Sequence, residues 1–309
     1  MAYRDLYQSQ VALLMRMLPL VAEEEEFALK GGTAINLFYR DMPRLSVDID
    51  LTFVPIMGWD DSLAAIDAAL GRISARITQT IPGVRVTPVR MKATEIALKL
   101  LVDASGVQIK IEVTPVLRGC AYPPELKAVS AAVEATFGFA ETQVVSFADL
   151  YAGKIIAALD RQHPRDLFDV RELLANEGVT DEVRCAFIVY LLGHGRPMAE
   201  VLSPHRKNLV TEYERGFVGM TTEPIALDTL VDVRETIIAE MVGRMPGDHR
   251  RFLLSFEKGE PDWSLLGMLH VAELPAVRWR QQNLDKLSRL RRNELVAQLT
   301  EALSEATES

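Results

Sequence analysis

The amino-acid sequence predicts an α+β chain, a sheet-bearing N-terminal lobe followed by a helical C-terminal lobe, and three observations carry that prediction. Ile96–Val102 and Val107–Val113 are strand-like runs joined through Asp103-Ala104-Ser105-Gly106, the signature of a hairpin. In the second arm Val107, Ile109, Ile111 and Val113 alternate with Gln108, Lys110 and Glu112, so one face is core and the other polar. From Ser146 onward the pattern is almost wholly helical.

In chain order, the N-terminal region up to about Glu26 reads as one helix, with Leu6, Leu13, Leu14, Met17, Leu20 and Val21 near helical spacing. Its last residues, Glu23 to Glu26, read as a solvated acidic helix end. Lys30 to Leu51 then gives a Gly-Gly-Thr turn, a short amphipathic helix and a strand over Leu45–Phe53. Leu63, Ile66, Leu70, Ile73 and Ile77 mark a helix over Asp60–Thr80, which Pro82-Gly83 stops. Val84 to Arg90 reads as another strand. The 309 residues fit about two domains. The stretch Arg118 to Thr142, with Pro123-Pro124, an Ala-rich segment and Gly138, places the boundary near residue 140, giving domains 1–140 and 141–309.

Composition narrows the function. A net charge of −9 excludes a general nucleic-acid coat protein, whose whole surface must attract phosphate. The most apolar N-terminal run, Val11 to Ala22, carries Arg16 and Pro19 and falls short of the ~20 residues that span a bilayer. Cys120 and Cys185 lie far apart without a CxxC spacing and read as reduced, buried thiols. Together these features predict a cytoplasmic protein with no membrane partner.

The chemistry concentrates in Lys30–Leu51. Gly31 and Gly32 let the backbone approach a ligand without Cβ obstruction, and Thr33 opens a helix whose free N–H groups suit phosphate. On a strand, Asp48 and Asp50 project to one face, with Val47, Ile49 and Leu51 on the other. Two neighbouring carboxylates repel unless a cation is shared, and Mg²⁺ (or Mn²⁺ in its place) suits one or two carboxylates plus phosphate oxygens. Glu112, on the polar face of the hairpin's second arm, is the candidate third carboxylate, either a metal ligand or a proton acceptor. Its plain alternative is an exposed strand residue paired with Lys110. Ser46, two residues before Asp48, is expected to face the same site, where phosphorylation would block it.

Gly-Gly-Thr, a short helix and then Arg44-x-Ser46-x-Asp48-Ile49-Asp50-Leu51 resemble the nucleotidyltransferase superfamily, and more narrowly the AbiEii/AbiGii toxin family of bacterial toxin–antitoxin systems. Thr33 stands where the superfamily usually has Ser. The resemblance implies a nucleotidyltransferase-like N-terminal lobe with a small mixed sheet. It further implies Asp48, Asp50 and Glu112 as catalytic metal ligands, and Gly31, Gly32, Thr33, Arg44 and Ser46 as nucleotide contacts.

A second cluster follows Ser146-Phe147-Ala148-Asp149, a capping box. Lys154, Ala157, Ala158 and Arg161 share one helix face, His163-Pro164 breaks the helix, and Asp166 and Asp169 open the next. Lys154 to Val170 is similar to the second signature of the same family. That similarity implies Lys154 and Arg161 as nucleotide contacts and Asp166, or else Asp169, as an active-site acid.

Near the C-terminus Arg278, Arg280, Arg289, Arg291 and Arg292 gather with Trp279, and this cluster reads either as an RNA footprint or as a solvated helix face. Arg196, His205, Arg206 and Lys207 form a smaller basic group. The resulting expectation is a toxin that moves NMP from an NTP to an acceptor hydroxyl, with the tRNA 3′ end as acceptor and a cognate antitoxin encoded nearby. The alternatives are a protein-nucleotidylating enzyme, an antibiotic-modifying enzyme, a non-catalytic NTP-binding regulator and a purely structural interaction protein.

Overall fold

A computed structural model describes residues 3–92 and 94–305. The chain divides into two compact units, Met1–Ser146 and Phe147–Ser309.

In the first unit the order is α1 (Tyr3–Ala22), β1 (Phe27–Lys30), α2 (Gly31–Ala34, continued by a wider π turn over Ile35–Tyr39), β2 (Ile49–Phe53) and α3 (Trp59–Thr80). Then come β3 (Arg85–Arg90), β4 (Ala97–Ala104), β5 (Val107–Val113), β6 (Glu125–Ala128), α4 (Ala131–Phe137) and β7 (Glu141–Val144). The strands form one mixed sheet in the order β3-β4-β5-β2-β1-β7-β6, with β2/β5 and β1/β7 parallel and the other pairs antiparallel.

Local chemistry explains several of these elements. The β4–β5 hairpin closes tightly because Ser105 and Gly106 both take positive φ, +53° and +79°, which matches the twist of the two strands. Pro88 lies on β3, an edge strand, where a missing N–H costs no ladder bond. Ile109, Ile111 and Val113 are buried, together with Ile49, Leu51 and Phe53 of β2. α1 packs against β5 and β7, α3 packs against β4, and the two helices touch.

Three expectations change here. The first helix ends at Ala22, and Glu24 is no solvated helix end: it is 4% exposed and takes Nε of Arg72 at 3.0 Å and Nη2 of Arg76 at 2.5 Å. Phe27–Lys30 forms an internal strand that sequence reasoning did not find. The strand carrying the aspartates is also shorter than Leu45–Phe53, because residues 45–48 are held by side chains outside the ladder.

The second unit contains α5 (Phe147–Asp160), α6 (Pro164–Asn176), α7 (Asp181–Leu192), α8 (Met198–Leu202), α9 (Val210–Gly216) and α10 (Leu227–Ile238). It continues with α11 (Gly247–Glu257), α12 (Pro275–Asp285) and α13 (Arg289–Glu305). α5 is the buried centre, packed by α6 and α7. Among the described residues no helix is long and apolar enough to cross a membrane. Both cysteines are half-buried, more accessible than the buried thiols expected from sequence.

Candidate active site

In the first unit, β1 delivers Lys30 and the Gly-Gly turn directly beside β2. Gly31 has φ +77°, a left-handed conformation that glycine adopts without a Cβ penalty. A Cβ at Gly31 would lie 2.7 Å from Asp50 Oδ2, and one at Gly32 would lie 2.5 Å from Arg44 Nη2 and 2.6 Å from Ser46 Oγ. A side chain at either glycine would therefore have to push its neighbours aside, and the turn is packed against Asp50 on one side and Arg44 and Ser46 on the other.

Two of the expected nucleotide contacts have other work. Thr33 is 1% exposed, and its hydroxyl donates to the Asp48 carbonyl at 2.5 Å, with Ser46 Oγ 3.3 Å away. Arg44 is 3% exposed, and its guanidinium donates to the Leu45 carbonyl at 2.8 Å. These two residues hold the backbone that presents Asp48. Both side chains are buried and engaged with backbone carbonyls.

Sequence reasoning passed over Asn36. It is fully buried, donates Nδ2–H to the Gly32 carbonyl at 2.7 Å and accepts the Arg44 N–H at 3.3 Å. One amide thus pins the turn to the segment entering β2. A polar residue inside the apolar run Ala34–Phe38 was the only signal.

Across the sheet, Lys30 of β1 lies opposite Asp50 of β2, Asp50 beside Glu112 of β5, and Glu112 opposite Lys99 of β4. Lys99 Nζ is 3.0 Å from Glu112 Oε1 and Lys110 Nζ is 2.8 Å from Oε2. Lys110 also reaches Asp48 Oδ2 at 3.4 Å. Burial alone would raise the Glu112 carboxyl, but the two lysines hold it below its ordinary range. Burial works against the Lys110 ammonium, and Glu112, Asp48 and Asp50 outweigh it, so its pKa lies above the ordinary value. Lys30 goes the other way: burial pushes it down despite Asp50, Cys120 and Glu112.

Among the described residues, no group of three or more His, Cys, Asp or Glu side chains is placed to hold a metal ion. Glu112 is paired with a lysine at each carboxylate oxygen, Lys99 at Oε1 and Lys110 at Oε2. The pairing with Lys110, its plain alternative in the sequence, is the one that forms. Asp48 and Asp50 remain a hard-oxygen pair, with the Asp48 side chain 47% exposed and a Cβ-free turn against Asp50. That donor set fits Mg²⁺, which needs few protein carboxylates.

In the second unit, His163 caps α6 through Nδ1, 3.1 Å from the Arg165 N–H, and Pro164 starts the helix. This geometry turns both Asp166 and Asp169 toward α5. Lys154 Nζ is 2.9 Å from Asp166 Oδ1 and 3.0 Å from Asp169 Oδ2, so the two acids share one lysine. Arg161 closes the network with Nε 2.6 Å from Asp166 Oδ2 and Nη2 2.9 Å from Oδ1. Asp166 thus joins the two cations of the Lys154–Arg161 face. Burial raises the Asp166 carboxyl, but Lys154 and Arg161 prevail and hold it well below the usual carboxylate range.

The arginine cluster also divides. Arg280 is 12% exposed, lies 3.7 Å from the buried Glu257, and donates to the carbonyls of His194 and Arg196 at 3.1 and 3.2 Å. Arg292 donates to the Leu284 carbonyl at 2.7 Å, closing the end of α12. These two hold the bundle together and do not belong to an exposed footprint. Arg278, Arg289 and Arg291 are exposed, as is Trp279 at 57%. In the smaller group, Arg196 pairs with Asp160 and Glu200, and Arg206 pairs with Glu235.

A mixed sheet that sets a Gly-Gly turn against an Asp-x-Asp strand, followed by a helical unit, is a nucleotidyltransferase-like architecture. The chain belongs to the AbiEii family: the family described as nucleotidyl transferase AbiEii toxin, of type IV toxin–antitoxin systems, matches residues 12–283. Among solved structures it is similar to MenT4, a nucleotidyltransferase toxin of Mycobacterium tuberculosis H37Rv. The TM-score is 0.56 at 17% identity, over 95% of this chain and 92% of that one, a likeness of fold. The search of curated proteins finds no match.

Proposed function

We propose that this toxin transfers NMP from an NTP to an acceptor hydroxyl, with the tRNA 3′ end as acceptor, and so blocks translation. The observation that carries the reading is the contact between the Gly31-Gly32 turn and the Asp48–Asp50 segment, which gathers phosphate-type backbone donors and a carboxylate pair in one place.

Asp48 and Asp50 would hold a divalent ion, which when bound supplies charge compensation for the phosphates. The backbone N–H groups at Gly31 and Gly32 orient the triphosphate. Thr33 and Asn36 act one step back, fixing Asp48 and Gly32 so that little reorganisation is needed when charge develops. Lys154 is assigned to nucleotide capture, with Asp166 and Asp169 setting its position. The acceptor hydroxyl loses its proton to water as its oxygen forms a bond to the α-phosphorus, the bond to the bridging oxygen breaks, and pyrophosphate leaves with its electron pair. Glu112, held anionic by two lysines, is a poor acceptor for the hydroxyl proton.

Incubation with each labelled NTP, Mg²⁺ and either total tRNA or cell protein tests this. Label on tRNA alone is the expected result. Label on protein alone would move the acceptor to a polypeptide, and Mg-NTP binding with no labelled product would make the chain a nucleotide-binding regulator.

A further inference from the structure

β2 and β5 run parallel with Leu51 level with Val113, so the segments that leave them travel together. The Thr114 N–H donates to the Leu51 carbonyl at 3.4 Å and the Gly119 N–H to the Phe53 carbonyl at 2.8 Å, which lays residues 114–119 along the end of β2 away from Asp48. Residues 54–58 lead from β2 to Trp59, where α3 begins, and Ser62 Oγ fixes them by donating to the Gly58 carbonyl at 2.7 Å. Arg118 joins the two segments: its guanidinium lies over the Trp59 ring, 5.0 Å from the centroid.

Two independent observations set this junction apart. Arg118 is 6% exposed, yet its Nε and Nη1 are buried with no hydrogen-bond partner, and among the described residues it forms no ion pair. Burial pushes its pKa down with no neighbouring charge to oppose it. A buried cation without an anion is costly, and an unsatisfied group of this kind calls for a partner. The second observation is apolar. Ile56, Met57, Trp59 and Val116, all on these two segments or at their ends, are large exposed side chains. Protein–protein interfaces concentrate Trp, Met and Arg, and their hot spots are built on Trp and Arg.

We propose that Arg118 and the apolar side chains on the two segments it joins form a docking site for a polypeptide partner, which seats an Asp or Glu carboxylate on the guanidinium between its own apolar residues. Charge complementarity selects this occupant. One guanidinium is matched by one carboxylate through charge-assisted hydrogen bonds. An RNA backbone needs several cations, and Asp60 and Asp61, exposed in the first turn of α3, repel a run of phosphates more than a single carboxylate. The carboxylate reaches the guanidinium by turning the half-exposed Trp59 ring aside, and the ring then packs on the partner. None of these residues belongs to the Gly31-Gly32 turn or the aspartate pair, so the docking site stands or falls apart from the nucleotidyltransferase reading.

The test is selection from a random peptide library on the immobilised full chain, followed by affinity measurement on the enriched peptides. These are expected to carry an Asp or Glu flanked by apolar residues. Their affinity should fall at least about tenfold with Trp59→Ala, with Arg118→Gln, and with the peptide's acid replaced by its amide. Arg118→Gln removes an uncompensated charge, so its melting temperature should be close to wild type or above. Where Arg118→Gln fails to fold, the exposed Trp59 still decides through Trp59→Ala. Enriched peptides without an acid, peptides that bind the folded variants as they bind wild type, or no enrichment at all would overturn the proposal. Binding of a single-stranded RNA oligonucleotide that is lost in Trp59→Ala would overturn it in favour of nucleic acid. Self-association of wild type that is lost in Trp59→Ala would overturn it in favour of a second copy of this chain.

Discussion

The chain carries two charge networks of similar size and opposite character. In the first unit, Asp48, Glu112, Lys99 and Lys110 have side chains 30–47% exposed and are joined through alternating strand positions. In the second, Lys154, Asp166 and Asp169 have side chains at most 10% exposed, locked by a helix start. Exposed ion pairs contribute little to stability, whereas removing one partner of a buried pair leaves an uncompensated charge. The sheet network is therefore free to exchange its partners for a ligand. The helical network fixes the geometry of a single lysine.

Substitution of Asp48 tests the exposed side of this contrast and has the largest expected effect. Asp48→Ala should reduce transfer roughly 10³-fold or more, the scale of several kcal/mol of lost charge stabilisation. The melting temperature should stay close to wild type, because the side chain is half exposed and its Lys110 contact is weakly coupled. Unchanged incorporation of labelled NMP would remove Asp48 from the chemistry.

Asp166→Asn tests the buried side. Loss of one carboxylate beneath Lys154 and Arg161 should lower unfolding stability by about 3 kcal/mol at neutral pH, read from urea denaturation. The pH dependence has a definite sign. The folded-state pKa of Asp166 lies below its unfolded value, so its contribution is fully present above the ordinary carboxylate range near pH ~4. Below that range the contribution fades as pH falls toward the folded value. The gap between wild type and Asp166→Asn should therefore narrow in acid, and a gap constant from pH 7 to pH 3 would show that the network does not act through this ionisation.

The two networks were also unequally legible. The hairpin and the helix over Trp59–Thr80 follow from local periodicity, which needs no knowledge of distant residues. The strands β1, β6 and β7 span four residues each, too few for alternation to show, and were not read as strands. Polar burial was the harder problem. Glu24 is buried because Arg72 lies 48 positions away on α3, and Arg280 because it meets carbonyls 84 and 86 positions away. Thr33 looked like a phosphate ligand because its position in the motif is adjacent to the turn, and only the register of residues 45–48 shows that Asp48's own carbonyl claims its hydroxyl.

Thr33→Val sharpens that distinction. It removes the hydroxyl with little change in volume, so the turn keeps its shape while the Asp48 backbone loses its donor. A positioning role predicts a kcat lower by about tenfold with KM for NTP nearly unchanged, about 1.4 kcal/mol realised only in the transition state. Direct phosphate contact would appear instead as a raised KM.

The smallest stability effect is expected at the exposed arginines, where the contrast between exposed and buried charge extends to the C-terminal cluster. Arg291 pairs with Glu294 three residues on, at 2.7 Å, both about half exposed, and Arg289 is exposed at the start of α13. Removing both as Arg289→Ala/Arg291→Ala should change unfolding stability by no more than about 0.5 kcal/mol per site. If the exposed group contacts an RNA backbone, the same double variant should weaken tRNA binding and make the slope of log affinity against log salt shallower by about one to two units. An unchanged slope would remove this face from acceptor binding and leave Arg289 and Arg291 as part of a solvated helix surface, in contrast to Arg280, whose place is inside the bundle.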